Sequence, residues 1–328
     1  CNEWVAQRIP DDHVCPHANR FRIAQVDPND TDNFVMSPGL ITFAQERGVY
    51  TPEKDGPFSF EAVYNSKPSR ESLGNRRREW RLMSLMCPSI EWDPNAMTFP
   101  VSVKPEMKIS VEWWISNVWR DVMEGTLYDL TKGMAAGPFG NPIRQSIQGI
   151  SFERPISTSG SGYTWISQAR AWLPHCMGGV LWYSMDAPRS SCYVPFYVGI
   201  ESTPESWRTG DYVRFSHDAA RWYFQAIDSI SQIRYRDMNT DVRLVFDALE
   251  KKAFGRQQYV EDLALTLWQN CPECAADSLT SYSRNCAIEA SQAAEDLFYM
   301  LLSKYVDGKP RTAVDPEWAD ILKQESPK

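Results

Sequence analysis

Residues 124–145 read EGTLYDLTKGMAAGPFGNPIRQ. The chain then runs through ERPISTSGSGYTWISQARAWLP (153–174), GGVLWYSMDAP (178–188) and SSCYVPFYVG (190–199). The first piece is a connector. Gly125, Gly133, Gly137 and Gly140, with Pro138 and Pro142, supply its turns, and Asp129, Lys132 and Arg144 lie between them. The later pieces are short β-branched and aromatic runs bounded by Gly and Pro. That pattern predicts consecutive antiparallel strands over residues 161–169, 179–185 and 192–199. A polar, turn-rich loop feeding buried strands is a good platform for a site, because rigid strands hold loop-borne groups in place.

Working outward, residues 4–8 (WVAQR) read as a strand ended by Ile9-Pro10-Asp11-Asp12, and residues 14–23 as a second strand with Asn19 near its middle. Residues 27–75 are loop-rich, with a short helix at 40–47 between Gly39 and Gly48. A helix is predicted over 76–85, with Arg76-Arg77-Arg78 as its solvated start. Another is predicted over 111–123 behind Ser110 as N-cap, its tryptophans 113, 114 and 119 facing the core. From Ser216 onward the chain reads as helical, over 216–228, 239–254, 257–270 and 278–305. Ser216 and Thr240 are the N-caps, and Gly255 and Gly308 the stops. There is no internal repeat and no low-complexity tract.

Several blocks carry a resemblance. E-G-T-x-x-D-x-T-K-G-x-x-A-G-P-F-G-x-P-x-R is followed in order by R-x-I-S, Q-x-R-x-W-L-P, G-G-V-x-W and Y-V-P-F-Y-x-G. Together they resemble the cysteine dipeptidases of peptidase family C69, N-terminal-nucleophile (Ntn) amidohydrolases related to the secernins. A Trp-containing strand, the Pro10-Asp11-Asp12 turn and the Ala18-Asn19 dipeptide also follow one another as in those enzymes. Lys304–Gly308 matches the phrase that ends their helical tail. The implied fold is α+β, an Ntn-type αββα sandwich of two antiparallel sheets flanked by helices. Residues 1–200 would form the C-terminal portion of that sandwich, with an insertion at about 40–123, and residues 201–328 a helical region packed on the same domain.

The implied reaction is hydrolysis of dipeptides through a thioester acyl-enzyme, with no metal or cofactor. An Ntn enzyme uses the side chain of its first residue as nucleophile and that residue's α-amine as base, since an amine with a pKa of about 8 is partly neutral at neutral pH. Cys1 fits that role only conditionally. In the family the nucleophile is followed by Thr and then a D-G-S turn, whereas here Asn2-Glu3-Trp4 follow. The Trp strand and Pro-Asp-Asp turn also lie well inside the family's chain. The expectation is therefore that the nucleophile is on a separate N-terminal chain of the same precursor, and that Cys1 is the first residue after a processing cut.

Asn19 resembles the asparagine that completes the oxyanion hole in related Ntn amidases such as the penicillin V acylases; the competing reading is an Asn that satisfies backbone groups at a strand irregularity. Arg144 and Arg154 match positions that would hold thiolate or substrate, with Ser157 behind Arg154. Asp129 and Lys132 would bind the substrate's ends, or else pair with each other and fix the loop. Expected partners are dipeptide substrates, the N-terminal chain and a second copy of this chain.

Bulk properties bound these readings. The 328 residues suffice for a sizeable core, and 43% hydrophobic with 12% aromatic content fits a folded globular chain. A net charge of −8 argues against nucleic acid or an anionic membrane as partner. No apolar run approaches a spanning helix, and residues 1–12 do not read as a signal peptide. Eight cysteines and the sequon Asn29-Asp30-Thr31 point to partial disulfide bonding, glycosylation at Asn29 and a secretory, lysosomal, vacuolar or extracellular address, with the cytoplasm as the alternative. Cys271 and Cys274 lack the second C-x-x-C of a zinc site, and a disulfide involving one or both is expected, with Cys286 nearby in sequence. The four histidines (13, 17, 175 and 217) are too scattered for a metal site. Two rivals stay open: an Ntn acylase using Cys1 itself, and a non-catalytic scaffold or storage relative.

Overall fold

The computed structural model describes residues 3–144, 147–150 and 152–325. Those residues form a mixed α+β structure with two antiparallel sheets among them, one of two strands and one of three. The chain divides into two compact units. The first runs to Ser110 and takes in Phe152–Pro155, and the second holds the remainder from Val111.

In the first unit β1 (Val5–Gln7) pairs antiparallel with β2 (Phe34–Met36), Ala6 opposite Val35. Helix α1 (Leu40–Glu46) buries Leu40 and Ala44, which are one turn apart on one face, against Val26, Tyr50 and Phe58. The organising element is α2 (Leu73–Met86). It begins at Leu73 rather than Arg76, because Ser72 caps it by accepting the Asn75 N–H. Met83 and Met86 are fully buried on α2.

The basic run on α2 is not the solvated helix start expected. Successive helical residues are rotated by about 100°, so three consecutive arginines cannot share one face. Arg76 and Arg77 are buried. Arg76 donates to the carbonyls of Asn95 and Ala96 at 2.7 and 2.8 Å, and Arg77 pairs with Glu153 at 2.9 Å. Beside them Glu79 is completely buried and accepts from Arg20 and Arg22.

Those two arginines explain what becomes of the strand expected over residues 14–23. Burial alternates along it: Cys15, His17, Asn19 and Phe21 face out, while Pro16, Ala18, Arg20 and Arg22 face in, and the chain bends at Asn19-Arg20. It forms no ladder beyond a single bridge, Val14 to Val103. Side chains do the holding instead. The inward arginines bind Glu79, and the Asn65 amide both accepts from the Phe21 N–H (2.8 Å) and donates to the Phe21 carbonyl (3.0 Å), as a neighbouring strand would.

In the second unit the three predicted strands appear as β3 (Tyr163–Ala169), β4 (Gly179–Met185) and β5 (Val194–Tyr197), in that order and antiparallel, with Trp165 opposite Tyr183 and Leu181 opposite Phe196. The helix expected over 111–123 is one α-turn, α3 (Val111–Trp114), that continues as a π-turn over Ile115–Trp119. Ile115 and Val118 are buried, while the three tryptophans are only partly so. Beyond the sheet come α4 (Arg221–Ser231), α5 (Tyr235–Trp268), α6 (Pro272–Lys304) and α7 (Pro316–Glu325).

Helix α5 is continuous where a break at Gly255 was expected, since an isolated glycine costs a helix only about 1 kcal/mol. Thr240 lies inside α5, its hydroxyl donating back to the Arg236 carbonyl, so it is not an N-cap. α4 starts at Arg221, because Ser216 spends its hydroxyl on the Asp218 N–H in a turn. α6 starts at Pro272, a residue suited to a first helical turn.

The sheet is clamped by α5 through two buried glutamates. Glu250 accepts from Arg120 at 2.6 Å and from the Tyr193 N–H at 2.9 Å. Glu261 accepts from Arg170 at 2.8 Å and from the Tyr197 hydroxyl at 2.7 Å. Each carboxylate is thus paired and hydrogen-bonded in the interior, and ties one helix turn to one strand end. Cys271 and Cys274 are disulfide-bonded to each other, and Cys286 remains free.

Candidate functional site

Asn19 stands on the outward row of the 15–22 segment with φ 54°. Asparagine tolerates this left-handed conformation better than most residues. The conformation is pinned on both sides. The Ser69 hydroxyl donates to the Asn19 carbonyl (2.9 Å), and Arg78 Nη2 donates to Asn19 Oδ1 (3.0 Å). The second contact settles the amide's orientation, because a guanidinium only donates. Oδ1 therefore faces Arg78, and Nδ2 presents its hydrogens away from it.

Arg78 is itself held by α2. Its Nε donates to the Gly74 carbonyl one turn back (2.9 Å), and Nη2 also donates to Asn75 Oδ1 (3.0 Å). Asn75 is buried, and its Nδ2 donates to the Ser69 carbonyl (3.2 Å). Ser69, Asn75, Arg78 and Asn19 thus form one closed set of hydrogen bonds. Arg154 joins it from the segment Phe152–Pro155: its Cβ lies 3.4 Å from where a Cβ on Gly74 would be. Burial, and then the neighbouring Arg154 charge, pull the Arg78 pKa down to about 10. Of the predicted residues, Asn19 and Arg154 therefore both neighbour Arg78, which sequence reasoning placed on the solvated face. The available signal was the spacing Gly74–Arg78, i to i+4 on one helix face.

The other predicted residues belong to the second unit. Asp129 closes the connector loop on itself: Oδ2 accepts from the Gly125 N–H at 3.2 Å, and Oδ1 from the Thr131 N–H and hydroxyl at 2.8 and 2.6 Å. It does not pair with Lys132, whose ammonium reaches Asp315 at 3.4 Å instead. Arg144 spans the loop. Nη1 donates to the carbonyls of Asn141 (2.6 Å) and Ile143 (3.4 Å), and Nη2 to that of Leu130 (2.5 Å). Gly140 is required there, for its φ is 63° and a Cβ would sit 3.1 Å from the Thr131 carbonyl oxygen. Ser157 is fully buried. Its N–H donates to the Asp121 carbonyl and its carbonyl accepts from Arg189, while its hydroxyl has no hydrogen-bond partner among the described residues. Asn29 is exposed in a turn anchored by Asp27. Cys1 lies outside the described residues.

Chemically, the first-unit cluster is a set of donors without an acid. Asn19 Nδ2, Arg78 Nη1 and the whole Arg154 guanidinium have no partner among the described residues, and all three suit an anion. None of the described free thiols is activated. Burial pushes the pKa of Cys15, Cys87, Cys176 and Cys192 upward and that of Cys286 to about 11, the opposite of what a nucleophile needs. Among the described residues no cluster of His, Cys, Asp and Glu is arranged to hold a metal ion.

The chain matches peptidase family C69 over residues 1–247. It is 32% identical over 200 residues to a probable dipeptidase of Salmonella dublin, an alignment covering 61% of this chain and 43% of that protein. It is 26% identical over 258 residues to dipeptidase A of Lactobacillus helveticus, covering 78% of this chain and 50% of that one. With a probable dipeptidase of Latilactobacillus sakei the identity is 24% over 314 residues, covering 92% and 60%. The chain spans about half the length of these curated relatives.

Proposed function

Because the chain belongs to peptidase family C69, we propose that it is the larger part of a cysteine dipeptidase with an Ntn-type sandwich fold, in which Asn19 stabilises the oxyanion. The observation that carries this reading is the fixed Asn19 amide, whose acceptor is consumed by Arg78 and whose donor has no partner among the described residues. A neutral donor aimed at a developing oxyanion is worth most when it need not reorganise, and here the backbone and amide of Asn19 are both pinned.

The nucleophile of this reading is a thiol on an N-terminal chain of the same precursor. Its support is that every described free thiol has its pKa raised by burial. The α-amine of that N-terminal residue takes the thiol proton, and the thiolate attacks the scissile carbonyl. The C–S bond forms as the oxygen takes up the charge beside Asn19 Nδ2. Collapse expels the protonated amine of the C-terminal amino acid and leaves a thioester, and water then releases the acid and restores the thiol. The same reading carries a secretory-pathway address, with glycan on the exposed Asn29.

Two measurements test it together. Alkylation of the native protein with iodoacetamide, read by mass spectrometry with N-terminal sequencing, identifies the reactive thiol. A companion chain labelled at an N-terminal cysteine supports the dipeptidase, and labelling at Cys1 supports the acylase alternative. The absence of any hyper-reactive cysteine sinks both. Asn19→Ala in the full protein is expected to lower kcat by about 10²- to 10³-fold, the usual effect of losing one oxyanion donor. A loss under about threefold refutes the role given to Asn19.

A further inference from the structure

We propose that Arg78 and Arg154 form the subsite for the substrate's terminal carboxylate, beside the oxyanion donor Asn19; this rests on the dipeptidase reading above. Donors come first. Three of the five guanidinium hydrogens of Arg78 are spent, on the Gly74 carbonyl, Asn19 Oδ1 and Asn75 Oδ1. The two on Nη1 have no partner among the described residues, and Arg154 likewise donates to none of them.

Charge points the same way. Among the arginines around α2, Arg20 and Arg22 meet Glu79 and Arg77 meets Glu153, while Arg76 is held by the carbonyls of Asn95 and Ala96. The buried Glu79 is thereby taken, and the half-buried Glu153 pairs with Arg77. Arg78 and Arg154 stand close with no acid within ion-pair distance among the described residues, which is the arrangement of a site whose counter-charge is brought by a ligand. Glycine at position 74 makes the approach possible, since Arg154 packs where a larger side chain on α2 would stand.

Scale selects a short carboxylate ligand. In a dipeptide, three covalent bonds separate the scissile carbonyl carbon from the carboxylate carbon, about 4 Å. Asn19 Oδ1 and Arg78 Nη2 are 3.0 Å apart, so the Asn19 amide and the Arg78 guanidinium are direct neighbours, as two groups serving the ends of so short a ligand must be. Recognition of the carboxylate this close to the carbonyl favours a single residue on the leaving side. A longer peptide would place an uncharged amide against two guanidiniums.

The test uses the complete protein and two substrates, a dipeptide with a free C-terminus and its C-terminal amide. The wild type is expected to prefer the free acid. Arg154→Met, an exposed position, should cut kcat/KM for the acid by about 10- to 100-fold, mainly through KM, while costing the amide far less. Arg154→Lys should recover part of the loss. Arg78→Lys should lower kcat as well as raise KM, because Arg78 also orients Asn19. Equal losses on acid and amide, a lowered melting temperature without loss of selectivity, or no loss at all would each overturn the subsite. The second of these would mean that an acid elsewhere in the protein is the partner. A wild-type protein that cleaves dipeptide amides with no preference for the acid overturns the subsite and spares the hydrolase. One that cleaves neither overturns both.

Discussion

Glu79→Gln is the most searching single substitution in the first unit. The residue is fully buried. Its carboxylate takes Arg20 Nε at 2.9 and 3.0 Å and Arg22 Nη1 at 3.1 Å. The two guanidinium side chains are 0% and 2% exposed, so neither can turn to water. Glutamine keeps the shape and removes the charge. Two buried cations are then left without a counter-ion, and the new NH₂ confronts donors with a donor. Breaking one buried pair costs about 3–5 kcal/mol, and the carbonyls that also bind these arginines (Met97, Pro16, Phe99 and Pro100) do not supply the missing charge. Against a typical domain stability of about 5–15 kcal/mol, the loss is large.

Urea unfolding followed by tryptophan fluorescence measures it. Trp80 lies on α2, and its Nε1 donates to the Trp92 carbonyl, so both indoles report on this unit. Hydrogen exchange over residues 14–26 localises the effect, and loss of protection there should accompany lower activity through Asn19. Replacing the whole trio with apolar residues of similar size, Arg20→Met, Arg22→Met and Glu79→Leu, should restore most of the stability, because no orphan charge remains. A cost under about 1 kcal/mol for Glu79→Gln, or a triple variant worse than the single one, would refute the reasoning.

Asp186 follows β4 with φ 61°, is 4% exposed, and has an oxygen with no hydrogen-bond partner among the described residues. Burial, and then the Asp228 charge, raise its pKa from 3.8 to about 7. The folded state therefore keeps a proton that the unfolded chain gives up, so this group's contribution is most favourable below about pH 4 and is lost as pH rises through 7. Asp186→Asn should flatten that dependence and stabilise the protein at pH 8 by about 2 kcal/mol; parallel melting curves for the two proteins at pH 5 and pH 8 would contradict it. Arg144→Lys cannot reach Asn141, Ile143 and Leu130 at once, so trypsin or thermolysin should cut the 130–144 loop several-fold faster, and unchanged cutting would mean that the clasp is idle. If Asn29 carries glycan, peptide N-glycosidase should lower the native mass, and Asn29→Gln should abolish the shift.

How much of this was legible in the sequence depends on how local each cause is. Strands β3 and β4 are punctuated by glycines and proline and filled with β-branched and aromatic residues, so their ends fall within two residues of expectation. The 14–23 segment read as a strand, and the structure keeps a strand-like alternation of burial along it. The missing ladder was not legible, because its tethers, Glu79 and Asn65, come from elsewhere in the chain. Gly255 misled for the opposite reason. Punctuation signals a break only where tertiary packing allows one, and α5 is held along its length by buried residues from Tyr235 to Ala264. The site divides in the same way. The left-handed Asn19 is a local property of a short polar residue, whereas the meaning of Arg78 is set by a glycine one turn away and by Arg154 far along the chain. In sequence, Arg76, Arg77 and Arg78 are three equivalent basic residues. Rotation about α2 gives the first to backbone carbonyls, the second to Glu153 and the third to Asn19, and the third keeps a whole terminal nitrogen, Nη1, without a partner among the described residues. A composition argument about that run could not separate the three, because the distinction arises when the helix turns.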